Sequence, residues 1–253
     1  MPLTVHQFPC LEDNYGFLVR DEASGLAACV DTPESGAILR ELGKLGWKLA
    51  LILNTHWHPD HAGGNAEIQA ATGARIVGPK EVTRIAPLDR EVKGGDEVML
   101  GETRFQVIES GGHTLGHIAY FDPDDRVAFV GDTLFALGCG RLFEGTAEQM
   151  WASLQRLAAL PEDTRVYCAH EYTASNARFA LSVDDDPALK ARAEAIFAAR
   201  ERGEPTVPTT IGLERATNPF LRAPVLADRV GAAGENDVKA FAAVRAAKDV
   251  FRG

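Results

Sequence analysis

The fold is decided by residues 51–61, which read LILNTHWHPDH. The apolar letters at the start of this segment predict a buried strand. Side chains alternate along extended backbone, so His56 and His58 should lie on the same side, where two imidazoles can share one ion. Asp60 and His61 follow at the turn into a helix, in position for a second ion. The segment therefore predicts a metal site at the end of a strand.

Three later positions carry the same residue types where predicted strands give way to loops. His113 follows one apolar strand, and Asp132 and His170 end two others. Open α/β folds build their sites from side chains at such strand ends. A single H-x-H pair would be weak evidence, because packed or solvated histidines are commoner than ligands. The complete set is a mixture of imidazole and carboxylate donors that suits zinc, iron or manganese.

Alternating β-like runs, amphipathic helices and turns fill the first two-thirds of the chain and predict an α/β fold. The predicted strands are 16–20, 26–31, 49–54, 75–77, 104–108, 118–121, 127–130 and 165–168. The predicted helices are 34–45 and 146–160 and, after a shift in composition near residue 175, 188–202 and 235–250. The sequence thus predicts a catalytic domain over 1–172 and a small helical domain over 173–253.

The bulk composition excludes several classes of partner. A formal charge of -10 argues against nucleic acid, which calls for a concentrated basic face, and against an anionic membrane surface. The first six residues lack a basic leader before an apolar run, and the sequence has no stretch typical of a membrane span. The four cysteines show no C-x-x-C spacing, so we predict free thiols and a cytoplasmic location.

The pattern T-H-x-H-x-D-H at residues 55–61 resembles the signature of the metallo-β-lactamase superfamily, and the later His, Asp and His follow in that superfamily's order. The resemblance implies an αββα sandwich that binds two divalent transition-metal ions, with zinc as the first expectation and iron or manganese as alternatives. The implied ligands of one ion are His56, His58 and His113, those of the other are Asp60, His61 and His170, and Asp132 bridges the two.

Within this superfamily, five later segments resemble glyoxalase II, the hydroxyacylglutathione hydrolase family. They are GCGRLFEGT at 138–146, HEYT at 170–173, the pair GEPTVPT and NPFLR at 203–209 and 218–222, and VRAAKD at 244–249. The resemblance spans essentially the whole chain. It implies hydrolysis of S-D-lactoylglutathione to D-lactate and glutathione, a step of methylglyoxal degradation. The residues implied to hold the substrate are Arg141, Phe143, Tyr172, Arg245 and Lys248.

The implied chemistry assigns a role to two carboxylates, Asp60 and Asp132. Water shared by two cations loses a proton near neutral pH and would attack the thioester carbonyl. The leaving thiolate has a pKa near about 8.5, so a separate general acid is not required. Phe143 stands where many relatives carry Tyr, so one substrate-binding hydroxyl is absent. Arg245 and Lys248 share a helix face that we expect to be exposed to solvent.

Other readings compete with this one. A persulfide dioxygenase of the same fold would bind one iron and lack the helical domain; a broader thioesterase or lactonase would keep the fold with another substrate. A non-enzymatic relic would have lost ligands, and here none is missing. His6 and His117 are assigned to neither ion. His117 is expected to pack in the core or beside the ligands, and Asp31 either supports the metal loop or is an ordinary turn residue. A monomer is expected.

Overall fold

The computed structural model describes residues 3–253; Met1 and Pro2, where the predicted first domain and the N-terminal segment begin, lie outside it. The chain divides into two compact units. The first takes in the described residues up to Ser110 together with Gly116–Gly131. The second takes in Gly111–Leu115 together with Asp132–Gly253.

The first unit consists mostly of strands. These are β1 (Leu3–Cys10), β2 (Asn14–Asp21), β3 (Leu26–Val30), β4 (Lys48–Leu53), β5 (Arg75–Gly78), β6 (Arg90–Glu91), β7 (Glu97–Leu100), β8 (Thr103–Glu109), β9 (Ile118–Asp122) and β10 (Val127–Gly131). The helices are α1 (Ser35–Leu45), α2 (Pro59–Ala62) and α3 (Asn65–Thr72), and a 3-10 turn covers Lys80–Arg84.

Two sheets pack within this unit. The first has the order β1 to β6, antiparallel from β1 to β3 and parallel from β3 to β6. Four antiparallel strands of a second sheet follow the order β10–β9–β8–β7. Ile38 and Ile68, from α1 and α3, are buried in the same apolar cluster as Ile52 of β4. Against the other sheet, the ring of Phe17 lies 5.6 Å from that of Phe129. Because both faces of the first sheet are covered, its inner parallel strands β3 and β4 are largely continuous apolar runs.

The second unit carries most of the helices. Its strands are β11 (Leu134–Phe135), β12 (Gly138–Cys139), β13 (Arg165–Cys168) and β14 (Thr209–Thr210), with β11 antiparallel to β12 and β13 antiparallel to β14. Its helices are α4 (Ala147–Ala158), α5 (Thr173–Val183), α6 (Pro187–Glu201), α7 (Ile211–Thr217) and α8 (Asp237–Val250), and a 3-10 turn covers Ala227–Val230.

Local signals set the helix ends. Thr146 and Gln149 form a capping box at the start of α4, which satisfies backbone donors that a helix start leaves unpaired. At α6 the Asp186 side chain accepts from the Ala188 amide, and Pro187 occupies the first turn. The four predicted helices are therefore confirmed, with ends that differ by one or two residues.

Two further predictions concern the whole described chain. All four cysteines are free, as predicted, and all are buried, which raises the pKa of the Cys10 and Cys168 thiols to about 12. Over residues 3–253 the structure has no helix that is both long and apolar enough to span a bilayer.

Candidate metal centre

The loop after β4 carries the first group of candidate ligands. His56 is fully buried, and its Nε2 lies 3.0 Å from His58 Nδ1. These two nitrogens therefore face each other across a short gap. Pro59 begins α2, and on this short helix His61 Nε2 lies 3.4 Å from Asp60 Oδ2. The structure thus brings the loop residues together in two pairs, within the first unit.

The Asp31 carboxylate holds the loop after β4 through contacts with Thr55 and His61. Its Oδ1 accepts from the Thr55 amide at 2.8 Å, and its Oδ2 lies 2.8 Å from both Thr55 Oγ1 and His61 Nδ1. A carboxylate only accepts, so His61 Nδ1 carries the proton and Nε2 keeps its lone pair for a metal. Asp31 does this from a left-handed backbone, with φ of 57°. The geometry favours loop support over an ordinary turn.

His117 packs beside the same loop. It is fully buried, its ring stacks on His56 at 4.7 Å, and its Nδ1 lies 2.8 Å from Ser110 Oγ. Gly131, with φ of 47°, is required here, because a Cβ would lie 2.6 Å from Thr55 Oγ1 and 2.7 Å from His117 Nε2. The structure therefore places His117 in packing. The remaining histidine, His6, contacts Glu41 at 3.0 Å, away from the ligand groups of its unit.

The second unit gathers the other three candidates around one carboxylate. Asp132 is buried, with Oδ2 lying 3.4 Å from His113 Nε2 and Oδ1 lying 3.4 Å from His170 Nε2. Each carboxylate oxygen thus faces a different imidazole. Gly140 permits this packing, since a Cβ there would meet the Asp132 carbonyl at 2.0 Å.

Both imidazoles of this group have an anchor outside it. His113 Nδ1 lies 2.9 Å from the main-chain carbonyl of Arg141, so this nitrogen donates and Nε2 is left toward Asp132. The His170 ring stacks on Tyr172 at 4.7 Å with an interplanar angle of 3°. No sequence pattern indicated the role of the Arg141 carbonyl or of Asn14, whose Nδ2 donates to Asp60 Oδ2 at 3.1 Å.

The donor set fits a transition metal. The described residues include groups of His and Asp side chains suited to binding a metal ion. Imidazole nitrogens with carboxylate oxygens form a donor set of intermediate softness. Outer hydrogen bonds that fix imidazole orientation are typical of metal sites rather than of histidines that merely pack.

A cavity of about 880 Å³ lies in the second unit, beside His113 and Asp132. Its size is typical of a small-molecule site. All five residues predicted to hold the substrate line it: Arg141, Phe143, Tyr172, Arg245 and Lys248.

The expectation of a solvent-exposed helix face is wrong for Arg245, which is 5% exposed. Its Nη1 donates to the Cys139 carbonyl at 2.9 Å and its Nη2 to Asp249 Oδ1 at 2.9 Å. Its guanidinium also lies 4.9 Å from the centroid of the Phe220 ring. These contacts draw the side chain inward, because α8 packs this face against the rest of the unit.

Lys248, one turn further along α8, is partly buried. Its Nζ donates to the Ser175 carbonyl at 3.2 Å and lies 5.4 Å from the Phe179 ring centroid. Burial, followed by the positive charges of Arg245 and Arg141, lowers the pKa of the Lys248 ammonium to about 8. Nearby Asp249 acts in the opposite direction. The cavity wall thus concentrates positive charge in an acidic chain.

Comparison with known proteins gives matches over nearly the whole chain. Residues 20–170 match the model of the metallo-beta-lactamase superfamily, and residues 171–251 match that of the hydroxyacylglutathione hydrolase C-terminus. The hydroxyacylglutathione hydrolase of Maricaulis maris (strain MCS10) is 54% identical over 253 residues, which cover 98% of this chain and 99% of the relative.

Solved structures show the same fold. ETHE1 from Myxococcus xanthus superposes with a TM-score of 0.71 at 27% identity, covering 98% of this chain and 92% of that one. TTHA1623, solved in a di-iron-bound form, superposes with a TM-score of 0.62 at 26% identity, covering 86% of this chain and 100% of that one. The superposition on ETHE1 thus covers the residues matched by both family models.

Proposed function

Because the chain belongs to the hydroxyacylglutathione hydrolase family of the metallo-β-lactamase superfamily, we propose that it hydrolyses S-D-lactoylglutathione to D-lactate and glutathione. It is a thioester hydrolase with the fold of that superfamily. One observation carries the choice of substrate: a single cavity is lined both by His113 and Asp132 and by the cations Arg141 and Lys248. A molecule that fills this cavity can present a reactive bond at one end and carboxylates at the other.

Two metal ions per chain are proposed as cofactors, with zinc first and iron or manganese as alternatives. The di-iron form of TTHA1623 supports the number, and the imidazole and carboxylate donors support the type. His56, His58 and His113 would hold one ion, Asp60, His61 and His170 the other, and Asp132 would bridge them. When bound, such ions lower the pKa of water to around 7 and polarise a carbonyl oxygen.

The chain's own residues would orient the substrate. Arg141 and Lys248 would attract the two carboxylates of glutathione, and the Tyr172 ring, stacked on His170, would form an apolar wall beside the thioester. Phe143, 62% exposed and edge-on to His113, would be covered by bound substrate. The departing thiolate needs no donor, since thiols titrate near about 8.5.

The test is an assay of the purified chain with S-D-lactoylglutathione, combined with metal analysis. Two transition-metal ions per chain and loss of hydrolysis on chelation are expected. Asp132→Ala should lower metal content and turnover together, and His117→Ala, which removes a ring packed on His56 rather than a ligand, should lower them far less. If a metal-loaded chain hydrolyses simple thioesters but not glutathione thioesters, the proposed substrate is wrong. If the chain is fully active without metal, the proposed metal centre is wrong.

The organisation around this function is also proposed. We place the catalytic domain at 1–172 and a helical substrate-binding domain at 173–253, a division supported by the separate family match that begins at residue 171. We propose a monomer that acts in the cytoplasm on a small molecule, without nucleic acid or membrane as partner. Light scattering after size exclusion tests the monomer.

A further inference from the structure

Trp57 stands between two proposed metal ligands, in the middle of the H-x-H motif. Its indole meets the His58 ring edge-on, with ring centroids 4.9 Å apart and an interplanar angle of 64°. The guanidinium of Arg84 lies over the same indole, 4.8 Å from its centroid. The three side chains thus form a continuous series of planar contacts, from an exposed cation to a metal-binding imidazole.

The other imidazoles of this loop are held by different means. His61 is fixed by the Asp31 carboxylate, and His56 by Thr55 Oγ1 at 3.0 Å and by the stacked ring of His117. His58 turns Nδ1 toward His56, and the indole lies against its ring. Imidazole rotation about its second side-chain torsion has broad energy wells, so a neighbouring ring can select one orientation.

The 3-10 turn that carries Arg84, the cation over Trp57, is well anchored. Arg84 ends the 3-10 turn Lys80–Arg84, in which Val82 is fully buried. In the same turn Glu81 Oε2 accepts from the Gly116 amide at 2.6 Å. A guanidinium over an indole is attracted by the ring quadrupole. Because the turn is fixed at two points, Arg84 can hold the indole in a defined position.

We propose that Trp57 is a positioning residue that orients His58 for a transition-metal ion, and that Arg84 holds Trp57 in place. This inference rests on the proposed metal centre. Outer partners of metal-binding histidines typically contribute roughly 10–100-fold to metal affinity. Ring contacts are weaker than hydrogen bonds to a carboxylate, so the lower end applies here.

The chain contains a matched control for this series. Arg20 lies over Trp47 at 5.8 Å, and Trp47 meets the His6 ring edge-on at 6.4 Å. These are the same three residue types in the same order, within the same unit. His6 pairs with Glu41 and is not a proposed ligand. Changes at Trp47 or Arg20 therefore report the general cost of losing an Arg–Trp–His series.

The experiment measures Co²⁺ affinity by chelator competition, and the visible absorption of bound Co²⁺, on purified full-length variants. Trp57→Ala should bind about tenfold more weakly and shift the Co²⁺ absorption bands. Trp57→Phe should restore affinity to within about threefold, since an edge-on ring remains. Arg84→Ala should lose about two- to fivefold. Trp47→Ala and Arg20→Ala should leave affinity and spectrum unchanged.

The outcomes separate this inference from the proposed function. Wild-type affinity and spectrum in both Trp57→Ala and Arg84→Ala would overturn the positioning role, as would equal losses in the Trp47→Ala control. If Trp57→Ala does not fold, the Arg84→Ala and Trp57→Phe measurements decide in its place. A wild-type chain that binds no Co²⁺, zinc or iron would instead contradict the proposed metal centre.

Discussion

Asp31 combines an unusual backbone conformation with three side-chain contacts to the loop that follows β4. A left-handed conformation is costly for a residue other than glycine, and Asp tolerates it better than most. Three contacts to Thr55 and His61 offset that cost. Strained residues held by their surroundings cluster at functional sites, and here the left-handed residue directs its carboxylate to His61, a proposed metal ligand.

Removing this carboxylate should weaken the metal centre. Asp31→Ala should reduce metal affinity by roughly 10–100-fold, because His61 loses the partner that fixes its orientation. Asp31→Asn keeps a residue that tolerates the backbone and should show a smaller loss. Metal content after dialysis against a weak chelator, measured beside turnover, checks this. Wild-type metal content in Asp31→Ala would mean that the loop holds its shape without the carboxylate.

At the scale of elements, α8 carries two cations with different duties. Arg245 is buried and bonds the Cys139 carbonyl of β12, so it ties the helix to the strand that lines the cavity. Lys248 reaches the Ser175 carbonyl of α5 and is only partly buried. The two residues are three apart and share a face. Their surroundings nevertheless differ, because Arg245 holds α8 against β12, whereas Lys248 is a candidate substrate contact.

Arg245→Met should therefore destabilise the fold. The substitution keeps an apolar stem beside Phe220 but removes two hydrogen bonds made by a charged group. A loss of about 2 kcal/mol in the free energy of unfolding is expected. Urea unfolding gives the value, and hydrolysis of both a glutathione thioester and an uncharged thioester should suffer. Unchanged stability with a defect for the glutathione substrate alone would assign Arg245 to direct carboxylate binding instead.

Lys248 should give the enzyme a pH-dependent affinity. With a pKa of about 8 the ammonium is charged below that pH and neutral above it. KM for the glutathione thioester should thus rise as pH passes above about 8, with kcat less affected, because the cation attracts ground state and transition state alike. Lys248→Arg stays charged and should flatten the profile.

Lys248→Ala should raise KM about three- to tenfold already at pH 7, since 1.4 kcal/mol corresponds to a factor of ten. An uncharged thioester, assayed on the same variants, is the control. Equal losses for both substrates would show that Lys248 stabilises α8 rather than binding a carboxylate.

For the whole molecule, a net charge of -10 sets the background against which the cavity acts. We expect the average surface to repel an anionic substrate, and Arg141 and Lys248 in the cavity wall to attract it locally. Salt screens both effects, but the short-range attraction is the one that holds the bound substrate. Raising the ionic strength from about 0.05 M to 0.5 M should raise KM for the glutathione thioester about two- to threefold. An uncharged thioester should show no such change; a parallel rise would point to an effect on the fold.

The sequence predicted those parts of the fold that have a simple pattern. Strands buried on both faces, such as β4 and β10, read as apolar runs and were found within two residues. Neither β1 nor β7 was predicted. The middle of β1 is polar and half-buried, and β7 is a four-residue strand in which exposed and buried residues alternate. α5 was not predicted either, since its buried residues, Thr173, Asn176, Ala177, Phe179 and Ala180, mix polar, small and aromatic side chains and give little amphipathic contrast.

The candidate ligands could be predicted from a motif, and Asp31 was one of two options there, a support of the metal loop or an ordinary turn residue. Asn14 could not be predicted, because it reaches Asp60 across a long stretch of chain and such a contact leaves no periodic trace. The expected exposure of Arg245 was wrong, because helical spacing predicts which residues share a face but not what that face contacts. Only packing reveals that the guanidinium turns inward to Cys139.

The hydrogen bond between His113 and the main chain of Arg141 has a consequence for how such a protein can diverge. An imidazole that donates to a main-chain carbonyl does not depend on the side chain of that residue. If His113 binds a metal as proposed, residue 141 can therefore be substituted, in evolution or by engineering, without loss of the metal. The same loop can drift toward new acyl donors, because selection on catalysis and selection on recognition act there on different atoms.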